Sequence, residues 1–121
     1  MENRNKDNMI NCDYFLKENI GKIFKKSKCL YTWAFYFQGK LHTIKLFHSK
    51  ICNKISIYYD KYNIKDKEKF KTGSSVSVHC EGIDVLITRY SSENFELRLN
   101  SFEFGYLKML NQNKQSFNEN H

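Results

Sequence analysis

Tyr31-Thr32-Trp33-Ala34-Phe35-Tyr36-Phe37-Gln38-Gly39-Lys40-Leu41-His42-Thr43-Ile44-Lys45-Leu46-Phe47-His48-Ser49 is the stretch on which the fold turns. Trp33, Phe35 and Phe37 alternate with Thr32, Ala34 and Tyr36, a period of two that belongs to a strand with one buried face. Gln38-Gly39-Lys40 supplies a turn. In the run that follows, Ile44 and Leu46 share one side while Thr43 and Lys45 share the other. Two alternating runs joined by a short glycine-containing turn predict a β-hairpin.

The same grammar continues downstream. Ser49–Asn53 reads as a loop, and Ile55, Ile57 and Tyr59 alternate with Ser56, Tyr58 and Asp60. Lys61–Lys71 is charged and reads as a turn followed by a short edge strand ending at Phe70, with lysines discouraging edge-to-edge pairing. Val76, Val78 and Cys80, the Glu81-Gly82 turn, and Ile83, Val85 and Ile87 predict a second hairpin. After a Ser91-Ser92-Glu93 turn come Phe95, Leu97 and Leu99. Phe102, Phe104 and Tyr106 extend the apolar pattern. The prediction is an all-β chain, an antiparallel sandwich of about seven or eight short strands. A doubly wound parallel sheet is excluded, because its crossover segments are missing.

Upstream of the hairpin the period changes. Leu16, Ile20, Ile23 and Phe24 fall at i, i+4, i+7 and i+8, which predicts a short amphipathic helix within residues 13–26. Asp13 would cap it, and Gly21 weakens it by about 1 kcal/mol relative to alanine. Residues 1–28 are thus expected to form a polar basic extension, 29–107 the β-domain, and 108–121 a polar flexible tail.

The chain has 121 residues with a formal charge of +7, and is 40% hydrophobic and 16% aromatic. That suits one domain with a real core and excludes full disorder. There is no run of 18 apolar residues for a membrane-spanning helix. Residues 1–28 also lack the apolar centre of a secretory signal, so a cytoplasmic protein is expected. Of the 20 basic residues only Arg4, Arg89 and Arg98 are arginine, and base-reading or phosphate-clamping sites favour its planar fork. The charge therefore argues weakly for any partner.

Cys12, Cys29, Cys52 and Cys80 lack zinc-finger spacing, and reduced structural thiols are expected. His42 and His48 share the parity of Ile44 and Leu46 but stand about 20 Å apart on a straight strand, too far to serve one metal or one substrate atom. His79 has outward parity. A Cys52–His48 pair would need the intervening loop to fold back, and no orienting third group is evident. The chain lacks a P-loop, a nucleophile elbow and a dinucleotide fingerprint. No cofactor or metal is nominated, and an enzyme is the poorest reading. Tyr36, Tyr58 and Tyr90, beside Lys45, Lys54 and Arg89, could instead form a platform for stacking single-stranded bases.

The register Trp33-x-Phe35, Gly39, then His42-x-Ile44-x-Leu46-x-His48 resembles the opening of a Fas apoptotic inhibitory molecule domain. Phe70, the hairpin around Cys80-Glu81-Gly82, and Phe95–Asn100 with Phe102 are similar to that family's closing strands. The likeness spans residues 31–107. Asn53-Lys54-Ile55 and Tyr59-Asp60-Lys61 depart from the family's Gly-Lys-Arg and Asp-Gly segments. The resemblance implies a non-enzymatic β-sandwich acting through protein contacts, in a family associated with regulating cell death and limiting protein aggregation. Trp33, Gly39, His42, Ile44, Leu46 and His48 are then structural signature positions, and outward Tyr36, Lys45 and Tyr58 candidate partner contacts. The alternatives are a basic β-domain binding single-stranded nucleic acid, and a peripheral membrane or cytoskeletal adaptor held through residues 13–28.

Overall fold

In the computed structural model, which describes residues 9–119 and the side chains of 9–112, nine strands form two antiparallel sheets. The first sheet has five strands in chain order: β1 (Ile10–Asn19), β2 (Lys28–Phe37), β3 (Lys40–Ser49), β4 (Lys54–Tyr59) and β5 (Tyr62–Lys69). The second has four: β6 (Ser75–Cys80), β7 (Ile83–Ser91), β8 (Asn94–Leu99) and β9 (Phe102–Glu103). A helix, α1 (Phe104–Glu119), follows.

The opening hairpin forms as its alternation requires. Trp33 pairs with Ile44 and Phe35 with His42, and the connection is the two-residue turn Gln38-Gly39. Both turn residues adopt positive φ, 52° and 77°. That backbone twist matches the right-handed twist of the strands, and Gly39 reaches it without a Cβ penalty. Between the sheets lies one core, in which Trp33, Phe35, Ile44, Leu46, Ile57 and Tyr59 of the first sheet meet Ile83, Val85, Ile87, Leu97 and Leu99 of the second. Phe95 seals one end, with its ring near Tyr31 and His48 of the opposite sheet and near Phe70. Phe70 is buried just after β5.

Two expectations about the termini are corrected. Residues 13–26 contain no α-helix: Ile10–Asn19 is a strand paired along β2, with a bulge between Cys12 and Tyr14, and only Lys25–Ser27 makes a single 3-10 turn. Leu16 satisfies the helical spacing, but pairing with Thr32 of β2 satisfies its backbone as well. The helix is at the other end. Phe104 is buried and Leu107 half-buried, an i, i+3 stripe that lies against the start of β1, where the Asn111 side chain donates to the Ile10 carbonyl at 3.4 Å. Residues through Glu119 are therefore helical rather than a flexible tail. The strand expected to run on through Phe104 and Tyr106 stops at Glu103. The lead residues 1–8 and the terminal His121 lie outside the described residues.

Candidate functional site

Trp33, His42, Ile44, Leu46 and His48 all point into the core, while Gly39 sits in the hairpin turn. The Trp33 ring has Phe15 of β1 and Tyr31 of β2 as aromatic neighbours, at 5.2 and 6.3 Å between ring centres. The two histidines occupy opposite ends of β3 and serve different ends of the sandwich.

At the first end, His42 Nδ1 donates to Asp60 Oδ2 at 2.7 Å, and Asp60 Oδ1 accepts the Thr43 N–H at 2.8 Å. This fastens the β4–β5 turn, where Asp60 has a φ of 52°, onto β3. Glu81, from the β6–β7 turn of the other sheet, brings Oε2 to 3.9 Å from the same nitrogen. Among the described residues, His42, Asp60 and Glu81 are the group whose donor atoms, within 4.8 Å of one another, could hold a divalent cation. Nearby Tyr59 is fully buried and its hydroxyl has no partner; burial first, then the Asp60 and Glu81 charges, raise its pKa well above the ordinary phenol value. No metal ligand was expected from the sequence, and alternation put Asp60 on the parity opposite Tyr59. Asp60 has instead a specific buried partner.

The second end is built on a residue that the sequence reading placed on the surface. Arg89 is only 4% exposed and belongs to the inward parity of Ile83, Val85 and Ile87. Its Nε donates to the Ser91 carbonyl at 3.2 Å, and Nη2 to the Ser92 carbonyl at 2.6 Å. Its Nη1 donates to the Phe70 carbonyl at 2.6 Å and to Asn53 Oδ1 at 2.8 Å. One guanidinium thus joins the β7–β8 turn, the end of β5 and the β3–β4 loop across both sheets. Its acceptors are all neutral, and the cation lies 5.5 Å from the Phe95 ring centre. Asn53 Oδ1 also accepts from His48 Nε2 at 3.1 Å, so Nδ1 is the bare acceptor of that ring and stands buried without a partner. Burial lowers the His48 pKa below its ordinary 6.5, the Asn53 hydrogen bond opposing and the Arg89 charge reinforcing. Lys50 and Glu93 add an ion pair between the same loops.

Cys52 and His48 line one cleft, but the His48 ring is engaged with Asn53 and no hydrogen bond joins it to the thiol. The exposed Cys52 thiol is acidified by a hydrogen bond from Ser49. Cys12 and Cys29 are buried, and burial raises the Cys12 thiol to about 12. His79 is exposed and pairs with Asp84 at 2.6 Å.

On the outer face of the first sheet, Lys45 and Tyr58 are register partners. Tyr36 is exposed on the same face, about 13 Å along β2 from Thr32, the residue opposite Lys45. Tyr90 lies on the outer face of the other sheet, where its hydroxyl donates to Glu96 at 3.0 Å. The three tyrosines therefore form no common stacking platform, and Arg89 is not beside them. The sequence reading also missed the open flank between β1 and β8. There Phe15, half-exposed on the inner face, forms a groove with Trp33, Phe95, Phe104 and Lys108.

These features define the class: an all-β protein of two stacked antiparallel meanders with an open aromatic flank. Compared with protein-family models, curated proteins and solved structures, the chain finds no significant match in any of the three.

Proposed function

We propose that this protein is a non-enzymatic protein-interaction module, similar to the Fas apoptotic inhibitory molecule domain, whose contact surface is the uncovered part of β1. The observation that carries this reading is the state of that strand. β1 is the edge of its sheet, and α1 packs near its beginning, yet Tyr14, Phe15 and Leu16 stand exposed on both faces. Asp13, Lys17 and Glu18 put charge on the strand, but the Tyr14–Leu16 stretch between them is apolar and uncovered, and a bare apolar edge segment recruits further strands. An extended peptide added to this edge would take main-chain hydrogen bonds from β1 and place alternate side chains in the Phe15–Trp33–Phe95 groove.

Of the outward residues expected to contact partners, Lys45 and Tyr58 form a second, separate patch, and a role in cell-death control rests on the family likeness alone. The test is a pull-down of the tagged chain from its own cell lysate, half of it treated with nuclease, beside a Phe15→Ser, Leu16→Ser double variant. A discrete protein set that survives nuclease and is lost from the variant supports the reading. Recovery that nuclease abolishes would transfer the function to nucleic-acid binding. An undiminished set with the variant would move the contact surface off β1.

A further inference from the structure

We propose that the end of the sandwich formed by the β1–β2 and β3–β4 connections docks on an anionic membrane surface, inserting Ile23, Phe24 and Ile51. Among the described residues these are the three most exposed large apolar side chains, at 89%, 70% and 79%. Scattered exposed apolar residues are ordinary, but these three occupy adjoining loops. The Lys50 N–H, one residue before Ile51, donates to the Ser27 carbonyl at 2.8 Å and ties the two connections together.

Both loops are built rather than loose. In the first, the Ile20 N–H donates to the Lys28 carbonyl at 2.8 Å and the Gly21 N–H to the Lys25 carbonyl at 3.0 Å. The Ser27 N–H and hydroxyl both donate to the Phe24 carbonyl, at 2.9 and 2.6 Å. The turn is so tight that a Cβ on Gly21 would meet that carbonyl oxygen at 2.0 Å. In the second, Asn53 is gripped by Arg89 and His48. Rigid backbone therefore presents apolar tips to solvent, and no neighbouring side chain covers them.

What surrounds the tips selects the occupant. Lys22, Lys25 and Lys26 flank Ile23 and Phe24 in sequence and are all exposed. Beside them opens a cleft of about 480 Å³ whose lining includes Lys22, Lys28, Lys54 and Lys67, with the Ser49 and Ser56 residues between. Of the nearby acids, Glu93 is engaged with Lys50, Glu68 with Lys65 at 3.5 Å, and Asp66 with the Ser56 hydroxyl at 3.5 Å, while exposed Glu18 at the end of β1 is outnumbered by the lysines. Separate apolar points ringed by lysines fit a bilayer interface, where side chains enter the acyl boundary and ammonium groups stay among lipid phosphates. A protein partner would require a continuous complementary face, and nucleic acid would leave the apolar points in water. The surface is separate from the β1 edge groove, so either reading can fail without the other.

Co-sedimentation of the full chain with vesicles decides it, using phosphatidylcholine alone and phosphatidylcholine with about one-third phosphatidylserine. Binding is expected only to the anionic vesicles and should weaken as salt is raised. An Ile23→Ser, Phe24→Ser, Ile51→Ser variant should bind at least about tenfold more weakly, as should Lys28→Glu, Lys54→Glu. Circular dichroism melts of both variants check that the fold is retained. Tyr62→Ser, at an exposed apolar residue outside the two loops, serves as the control and should bind like wild type. Failure of the wild type to bind anionic vesicles, equal binding to neutral ones, or undiminished binding by the serine variant would each overturn the proposal.

Discussion

Replacing Arg89 with methionine sets two opposed terms against each other at the buried end of the sandwich. Methionine keeps much of the aliphatic volume but removes the donors to Asn53, Phe70, Ser91 and Ser92. Bonds from a charged donor contribute about 1.5–3 kcal/mol each, and here four of them join three separate segments. On the other side, a guanidinium that is 4% exposed and hydrogen-bonds only neutral oxygens carries a desolvation penalty of several kcal/mol, which methionine would relieve. The bonds outweigh that penalty, because the substitution also strands the acceptors that Arg89 satisfies. The expected net loss is about 3–5 kcal/mol, the usual cost of removing one side of a buried charged network. For a domain of this length that lowers the melting midpoint by roughly 10–20 °C. Urea unfolding followed by the fluorescence of Trp33, the single tryptophan, measures it directly. Arg89→Lys should recover less than half of the loss, since an ammonium group cannot span the same fork of acceptors. A methionine variant as stable as wild type would refute the reasoning, showing that desolvation governs and that the loops hold without the clamp.

Trp33→Ala should cost about 3–5 kcal/mol through the cavity it leaves among Phe15, Tyr31 and Ile44; an unchanged thermal melt would remove Trp33 from the core. Burial lowers the His48 pKa in the folded state, so the unfolded chain binds the extra proton first. Stability should therefore be full above the ordinary value of 6.5 and fall as pH drops from there toward the lowered folded pKa. Denaturant midpoints across that range should slope for wild type and flatten in His48→Gln. Native titration with a disulfide reagent should show one fast thiol, lost in Cys52→Ala, and a slower one from half-buried Cys80, while buried Cys12 and Cys29 react only on unfolding; reaction of Cys12 or Cys29 in the folded protein would contradict the burial.

The strands covered on one face by the opposite sheet were legible in the sequence because burial on one side prints a period of two. Trp33–Phe37, Ile44–Leu46 and Ile83–Ile87 all show it. β1 was not legible: beyond Cys12 the opposing sheet leaves its residues uncovered, Phe15 included, so burial enforces no alternation, and its strand state comes from pairing with β2. The helix α1 was hidden by the opposite accident, since Phe102, Phe104 and Tyr106 happen to alternate across a boundary between strand and helix. Its signal was present in the i, i+3 spacing of Phe104 and Leu107. Arg89 was readable in principle, as parity with Ile87 pointed it inward, but a basic residue at an inward position is ordinarily discounted. Asn53 gave no sign, because its partners are 5 and 36 positions away.

Each strand of either sheet pairs only with its neighbours in the chain, so spatial order and order of synthesis coincide. The first five strands can therefore zip together on a ribosome as they emerge, without waiting for anything downstream. The inner face they create, with Trp33, Phe35, Ile44, Leu46 and Ile57, has no cover until β7 and β8 arrive, about 30 residues after Lys69. At ordinary elongation rates that gap lasts roughly 2–6 s. During it, the nascent chain carries a finished, one-sided greasy sheet. The lysines spaced along β5, at 65, 67 and 69, guard the newest edge of that sheet through the interval before the lid is made.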